Sequence, residues 1–150
     1  MLVGYSMGGG IVANFLIRSP FADRVVGAIL DSPMLDFGAT IDLGAERRGL
    51  PIFLAGVGKF VSSVRFGVDW AALDYLDRAD ELSVPILLFH GDGDTTVPQR
   101  TSETLVEGRP DLVDYEAFDG AVHVGAWNAA PERCERGTNT LTRFFGRTPS

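Results

Sequence analysis

A chain of 150 residues is the length of one ordinary domain and is long enough to bury a substantial core. Hydrophobic residues at 45% and charged residues at 22% are globular values, which excludes a disordered chain. The net charge of −7 excludes the electrostatic footprint of a nucleic-acid binder, and the basic residues, all arginine except Lys59, are too scattered for a polybasic membrane patch.

Other exclusions follow from single residue types. No apolar run is long enough to span a bilayer, so a membrane is not indicated. Cys134 stands alone, which excludes an internal disulfide and a cysteine-based zinc site; it reads as a small buried residue. These residues hold no signal-peptide or transit pattern. A targeting segment upstream of Met1 would not be visible, so location stays open, with the cytoplasm as the default.

In chain order, short apolar runs alternate with helical stretches. Leu2-Val3 is the tail of an apolar run. Met7 to Arg18 is expected to be a helix, with Ile11, Val12, Phe15 and Leu16 on one side. Val25 to Leu30 is a continuous apolar run closed by Asp31-Ser32-Pro33, as suits a strand buried on both faces of a parallel sheet. Phe53, Val57, Phe60, Val61 and Val64 keep helical spacing. Ile86 to Phe89 is a second buried strand, ended by Gly91 and Gly93. Thr101 to Glu107 is a helix after Pro98, and Val113 to Phe118 a more polar edge strand. A last helix opens at Pro131, with Cys134, Leu141 and Phe145 on one stripe. The alternation predicts an α/β fold with a parallel sheet and right-handed crossovers. Residues 34–83 are long for a crossover and are expected to hold extra helices over the carboxyl edge of the strands, as a small lid would.

Three segments carry chemistry. Gly4-Tyr5-Ser6-Met7-Gly8 packs a strand end, a tight turn and a helix start into five residues. Such a turn strains the serine and leaves its hydroxyl exposed, at a helix N-terminus that favours developing negative charge. The flanking glycines are expected to remove clashing side chains, and Gly9 and Gly10 to permit close helix packing. The plainer reading is a glycine-rich turn. His90-Gly91-Asp92-Gly93-Asp94-Thr95-Thr96-Val97-Pro98 follows a buried strand, so its carboxylates lie on the same sheet edge as Ser6. Asp94 is the first choice to orient a histidine, with Asp92 and Asp31 as alternatives; the plainer reading is helix capping or turn formation. Gly120-Ala121-Val122-His123 lies after the last strand. Of the two histidines, His90 reads as structural, bonding loop backbone, and His123 as the candidate base.

Taken together, these motifs resemble the C-terminal part of an α/β hydrolase, of the serine-aminopeptidase, lysophospholipase and esterase-like branch. Gly4-Tyr5-Ser6-Met7-Gly8-Gly9 is similar to that family's nucleophile elbow, His90-Gly91-x-x-Asp94-x-x-Val97-Pro98 to its acid loop, and Gly120-Ala121-x-His123 to its histidine loop, with Trp127 a frequent neighbour. The order serine, acid, histidine is the family's. The resemblance covers essentially the whole chain and implies a partial α/β-hydrolase fold of about four mainly parallel strands, flanking helices and a small helical lid insertion at 34–83, in one domain over 1–150. It implies Ser6 as nucleophile, His123 as general base and acid, Asp94 as orienter and the backbone N–H of Met7 as one oxyanion donor. It implies no metal or organic cofactor. The substrate would be a small-molecule, lipid or peptide-like acyl compound, an ester, thioester or amide, and nucleic acid no partner.

The family places several strands before the elbow, one of them followed by the loop that supplies a second oxyanion amide. Here only Met1, Leu2 and Val3 stand before Gly4 of the elbow. The expectation is therefore a chain that is unstable, self-associated through its exposed first strand, or inactive, and the competing reading is a non-catalytic fragment that pairs with another chain. Arg47 and Arg48 are expected to lie on a solvated helix face. Phe53, Phe60, Phe66 and Trp70 are expected to pack the inserted helices onto the sheet, or else to line an acyl pocket.

Overall fold

The computed structural model describes residues 1–145. Four parallel strands lie in chain order: β1 (Leu2–Tyr5), β2 (Ala28–Asp31), β3 (Ile86–Gly91) and β4 (Val113–Phe118). Helix α1 (Met7–Arg18) joins β1 to β2. Helices α2 (Phe37–Arg47) and α3 (Ile52–Phe66), with 3₁₀ turns at Ala71–Leu73 and Leu76–Glu81, lie between β2 and β3. Helix α4 (Gln99–Gly108) joins β3 to β4, and α5 (Ala126–Ala129) and α6 (Pro131–Phe145) follow. The pattern is the expected one: a parallel sheet needs crossovers, and helices supply them.

Both sheet faces are covered, which is why β2 and β3 are apolar at every position up to their ends. Leu30, Ile86 and Leu88 point to one face and meet Val12 and Leu16 of α1 and Leu105 of α4. Ile29, Leu87 and Phe89 point to the other and meet Phe118, Cys134 and Leu141. The Phe89 and Phe118 rings meet edge to face, with centroids 5.6 Å apart. Cys134 is fully buried, and with Leu141 it forms the expected stripe of α6; the Phe145 side chain lies outside the described residues.

The helices between β2 and β3 depart from expectation. They form, and Asp36 caps α2 by accepting the Ala39 N–H at 2.8 Å. However, the apolar stripe of α3 faces solvent. Phe53, Phe60 and Phe66 are 64%, 68% and 75% exposed, so they neither pack the insertion onto the sheet nor line a pocket. Trp70 is half-buried and donates its indole N–H to the Lys59 carbonyl. The error has a plain cause: helical periodicity locates a stripe but not the surface it meets. Arg47 and Arg48 are exposed, as expected.

Candidate active site

The carboxyl ends of β1, β2 and β3 and the loop after β4 converge on one edge of the sheet. Ser6 follows β1 directly, and α1 starts at the next residue. Its φ of 50° and ψ of −121° are a conformation that costs a non-glycine residue about 1–3 kcal/mol. Serine is among the best N-caps, yet the Ser6 hydroxyl makes no cap bond to α1. It points instead at His123, whose Nε2 lies 2.8 Å from Oγ. The elbow is held by its backbone: the Ser6 N–H donates to the Asp31 carbonyl and the Ser6 carbonyl accepts from Met34 N–H.

The flanking glycines have unequal reasons. A Cβ at Gly4 would stand 2.7 Å from the Gly8 carbonyl and from the Gly9 Cα, so the strand and the helix start can be this close only with glycine there. A Cβ at Gly8 would meet nothing within 4 Å, contrary to the expectation that both glycines relieve a clash. Gly9 and Gly10 press against Pro33 and Met34, as close helix packing requires.

Asp94 is placed at the centre of four donors. Oδ1 accepts the backbone N–H groups of Thr96 at 2.7 Å and Val97 at 3.0 Å. Oδ2 lies 2.8 Å from His123 Nδ1 and 3.3 Å from His90 Nε2. Burial of the carboxyl works to raise its pKa. The bonds from His90, His123 and the two amides outweigh it and hold Asp94 well below the usual carboxylate range. An ionised Asp94 fixes the His123 tautomer: the ring proton sits on Nδ1, and Nε2 is free to accept the Ser6 hydroxyl proton.

His90 is fully buried. Its Nε2 faces two acceptors, the Asp94 carboxylate and the Val97 carbonyl at 3.3 Å, so it carries the proton. With that proton on Nε2, Nδ1 is left to accept from the Ser102 hydroxyl, 2.7 Å away. The structural role expected of His90 holds for its loop bond; its hold on Asp94 and the part of Ser102 were not anticipated. The i, i+4 spacing of His90 and Asp94 after a strand was the signal available for the first.

The remaining acidic candidates serve the loops. The Asp92 carboxylate accepts the Gly120 N–H at 2.5 Å, joining the acid loop to the histidine loop. Gly91 is needed for that junction, because a Cβ there would stand 2.1 Å from the Ala121 carbonyl. Asp31 ends β2, buried, and is bonded by the Ser32 hydroxyl at 3.4 Å rather than by His123. Burial pushes its carboxyl up, against the opposing pull of Ser32, the two histidines and the Ala126 backbone N–H. The Met7 N–H is at the first position of α1, where the helix offers no acceptor. Among the described residues no group of three or more His, Cys, Asp or Glu side chains is placed to hold a metal ion, and no helix is long and apolar enough to cross a membrane.

No family model matches the sequence, and no relative is found among curated proteins. Solved structures do match. An esterase of Pyrococcus furiosus superposes with a TM-score of 0.69 at 20% identity, over 95% of this chain and 52% of its own. A monoacylglycerol lipase of Paleococcus ferrophilus gives 0.67 at 16% identity, over 97% and 68%. A puromycin-hydrolyzing peptidase of Mycobacterium tuberculosis gives 0.70 at 19% identity, over 98% and 22%. The chain spans about half the length of the esterase. These proteins are α/β hydrolases. The chain has the α/β-hydrolase fold, limited to the part of it that these longer enzymes share.

Proposed function

We propose that the chain carries the catalytic side chains of a serine hydrolase that works by acyl transfer through Ser6, His123 and Asp94. The observation that carries this reading is the unbroken hydrogen-bond chain from Ser6 Oγ through both nitrogens of His123 to an ionised Asp94. Ser6 Oγ attacks the acyl carbonyl while His123 Nε2 takes its proton. The tetrahedral oxyanion forms beside the Met7 N–H at the start of α1. His123 returns the proton to the leaving group, and water then attacks the acyl-enzyme with the same histidine as base. This sequence needs no metal or organic cofactor. The substrate class is an ester, thioester or amide, in keeping with the esterase, lipase and peptidase that share the fold. We read 1–150 as one domain and 34–83 as a lid-like insertion within it. The antiparallel bridge of Asp36 with Asp74 and the bond from the Tyr75 N–H to the Leu35 carbonyl support the latter by closing the insertion at its base.

A fluorophosphonate probe, which phosphonylates activated serines, tests the reading. Stoichiometric labelling that disappears in Ser6→Ala and falls by about 10⁴-fold in His123→Ala supports it. Absence of labelling in a folded wild-type chain overturns it. A second reading, an inactive part that pairs with another chain, is favoured by the open edge of β1, where Val3 and Tyr5 are about half exposed. A binding role survives Ser6→Ala, and hydrolysis does not.

A further inference from the structure

Among the described residues three non-glycine residues have a positive φ: Ser6, Ser32 at 47° and Val124 at 54°. The first belongs to the elbow. The other two are bonded to each other, since the Val124 N–H donates to Ser32 Oγ at 3.2 Å. A β-branched residue in this region is a genuine outlier and persists only where its surroundings hold it. Val124 is the residue after His123.

Ser32 is fully buried at the carboxyl end of β2, and its own N–H is fixed on the Phe89 carbonyl of β3. Its hydroxyl donates to Asp31 Oδ1 and therefore presents a lone pair to Val124. The backbone N–H of Ala126, the first residue of α5, also bears on the Asp31 carboxylate. The same short segment holds the elbow, through the Asp31 carbonyl on Ser6 N–H and the Met34 N–H on the Ser6 carbonyl. Residues 31–34 thus hold the serine by its backbone and the histidine loop by the Val124 amide. Buried polar side chains are costly to place unless their bonds are used, and neither of these side chains takes part in the acyl-transfer steps.

We infer that Ser32, backed by Asp31, is a positioning residue: its hydroxyl holds Val124 in the strained turn that aims His123 Nε2 at Ser6 Oγ. This rests on the serine-hydrolase reading for its effect on rate, and on geometry alone for its effect on the loop. A displacement of about 1 Å at a reacting group costs on the order of 10²-fold in rate.

The test compares wild type with Ser32→Ala and with Ser32→Ala/Val124→Gly in the full chain. Two readouts are followed: the rate of fluorophosphonate labelling, and the downfield proton NMR signal of the His123 Nδ1–H bonded to Asp94. The alanine variant is expected to keep the wild-type unfolding midpoint within a few degrees, to label at least tenfold more slowly, and to lose or broaden the downfield signal. Glycine at 124 adopts a positive φ without strain, so the double variant is expected to recover most of both. A merely structural Ser32 would show no such recovery. Should the alanine variant fail to fold, Ser32→Gly, which accepts the left-handed backbone and lacks the hydroxyl, takes its place. Wild-type labelling and an unchanged signal in the variant overturn the inference. If the wild type itself does not label, the hydrolase reading fails, and the downfield signal alone decides the role of Ser32.

Discussion

At the scale of single residues, the candidate site is organised around acceptors rather than around Ser6. Asp94 has no lone pair to spare: two amides hold one oxygen and two imidazoles share the other. Its lowered pKa sets a sign for pH dependence. A carboxylate with a depressed folded pKa contributes stability in full above its ordinary pKa, near 3.8, and loses that contribution as pH falls through the folded value. Asp94→Asn is therefore expected to destabilise by the same amount at pH 7 and pH 5, with the gap from wild type closing below pH 4 by the same linkage. Urea unfolding at the three pH values measures this, and a gap that widens in acid contradicts it. Labelling of the Asn variant at pH 7 should fall by about 10⁴-fold, because an amide can leave His123 in the wrong tautomer. Ser102→Ala belongs to the same network. It leaves the buried His90 Nδ1 without its donor and should cost about 1–3 kcal/mol in the same unfolding assay, against near zero for Thr104→Ala on the exposed side of α4. The meeting of Ser6, Asp94 and His123 on one sheet edge was legible because strand ends, glycine spacing and chain order are local features. Ser32, Ser102 and the grip of His90 on Asp94 were not. Each depends on which loops lie side by side, and one serine in a sequence looks like another.

Elements show the same division. The strands and the flanking helices α1, α4 and α6 followed from apolar runs and periodicity, since burial on two faces or one leaves a pattern in sequence. The direction in which α3 turns its stripe left none. Nor did the difference between Gly4 and Gly8, which is a matter of what stands opposite. That difference is measurable. Gly4→Ala forces a Cβ into the backbone of α1 and should cost about 1–3 kcal/mol or prevent folding. Gly8→Ala enters open space inside a helix, at a residue without positive φ, and should be neutral or stabilise by up to about 1 kcal/mol. Equal losses in both would show that the glycines serve the turn alike. For α3, Phe60→Ser and Val64→Ser remove side chains that are 68% and 72% exposed and should change the unfolding free energy by less than about 0.5 kcal/mol each. A loss of several times that would mean the stripe is buried in solution.

For the molecule as a whole, the sheet ends differently at its two sides. β4 is flanked by Arg133, which pairs with Glu116 and lies over the Phe118 ring at 4.4 Å, and its exposed positions, Asp114 and Ala117, carry no large apolar side chain. β1 has the opposite character. The Leu2 N–H goes to the Gly27 carbonyl just before β2 and the Ser6 N–H to Asp31 at its end, so by the two-residue alternation of a strand the backbone of Val3 and Tyr5 faces outward. Their side chains are about half exposed, and a groove beside them is lined by Phe89 and Trp127. A short apolar edge with unused donors and acceptors is a template for another strand. Self-association through β1 is therefore expected of the 150-residue chain, visible as a sedimentation coefficient that rises with concentration across the micromolar range. Val3→Lys places a charge on that edge without touching the ladder to β2 and should return the chain toward monomer, while Phe60→Ser on the exposed stripe of α3 should not. The reverse pattern would move the contact to α3. A wild-type chain that stays monomeric throughout would show that the edge is closed to other strands. The result also bears on labelling, because Ser6 follows the edge strand directly. If labelling per chain rises with concentration in wild type but not in Val3→Lys, the associated form is the competent one.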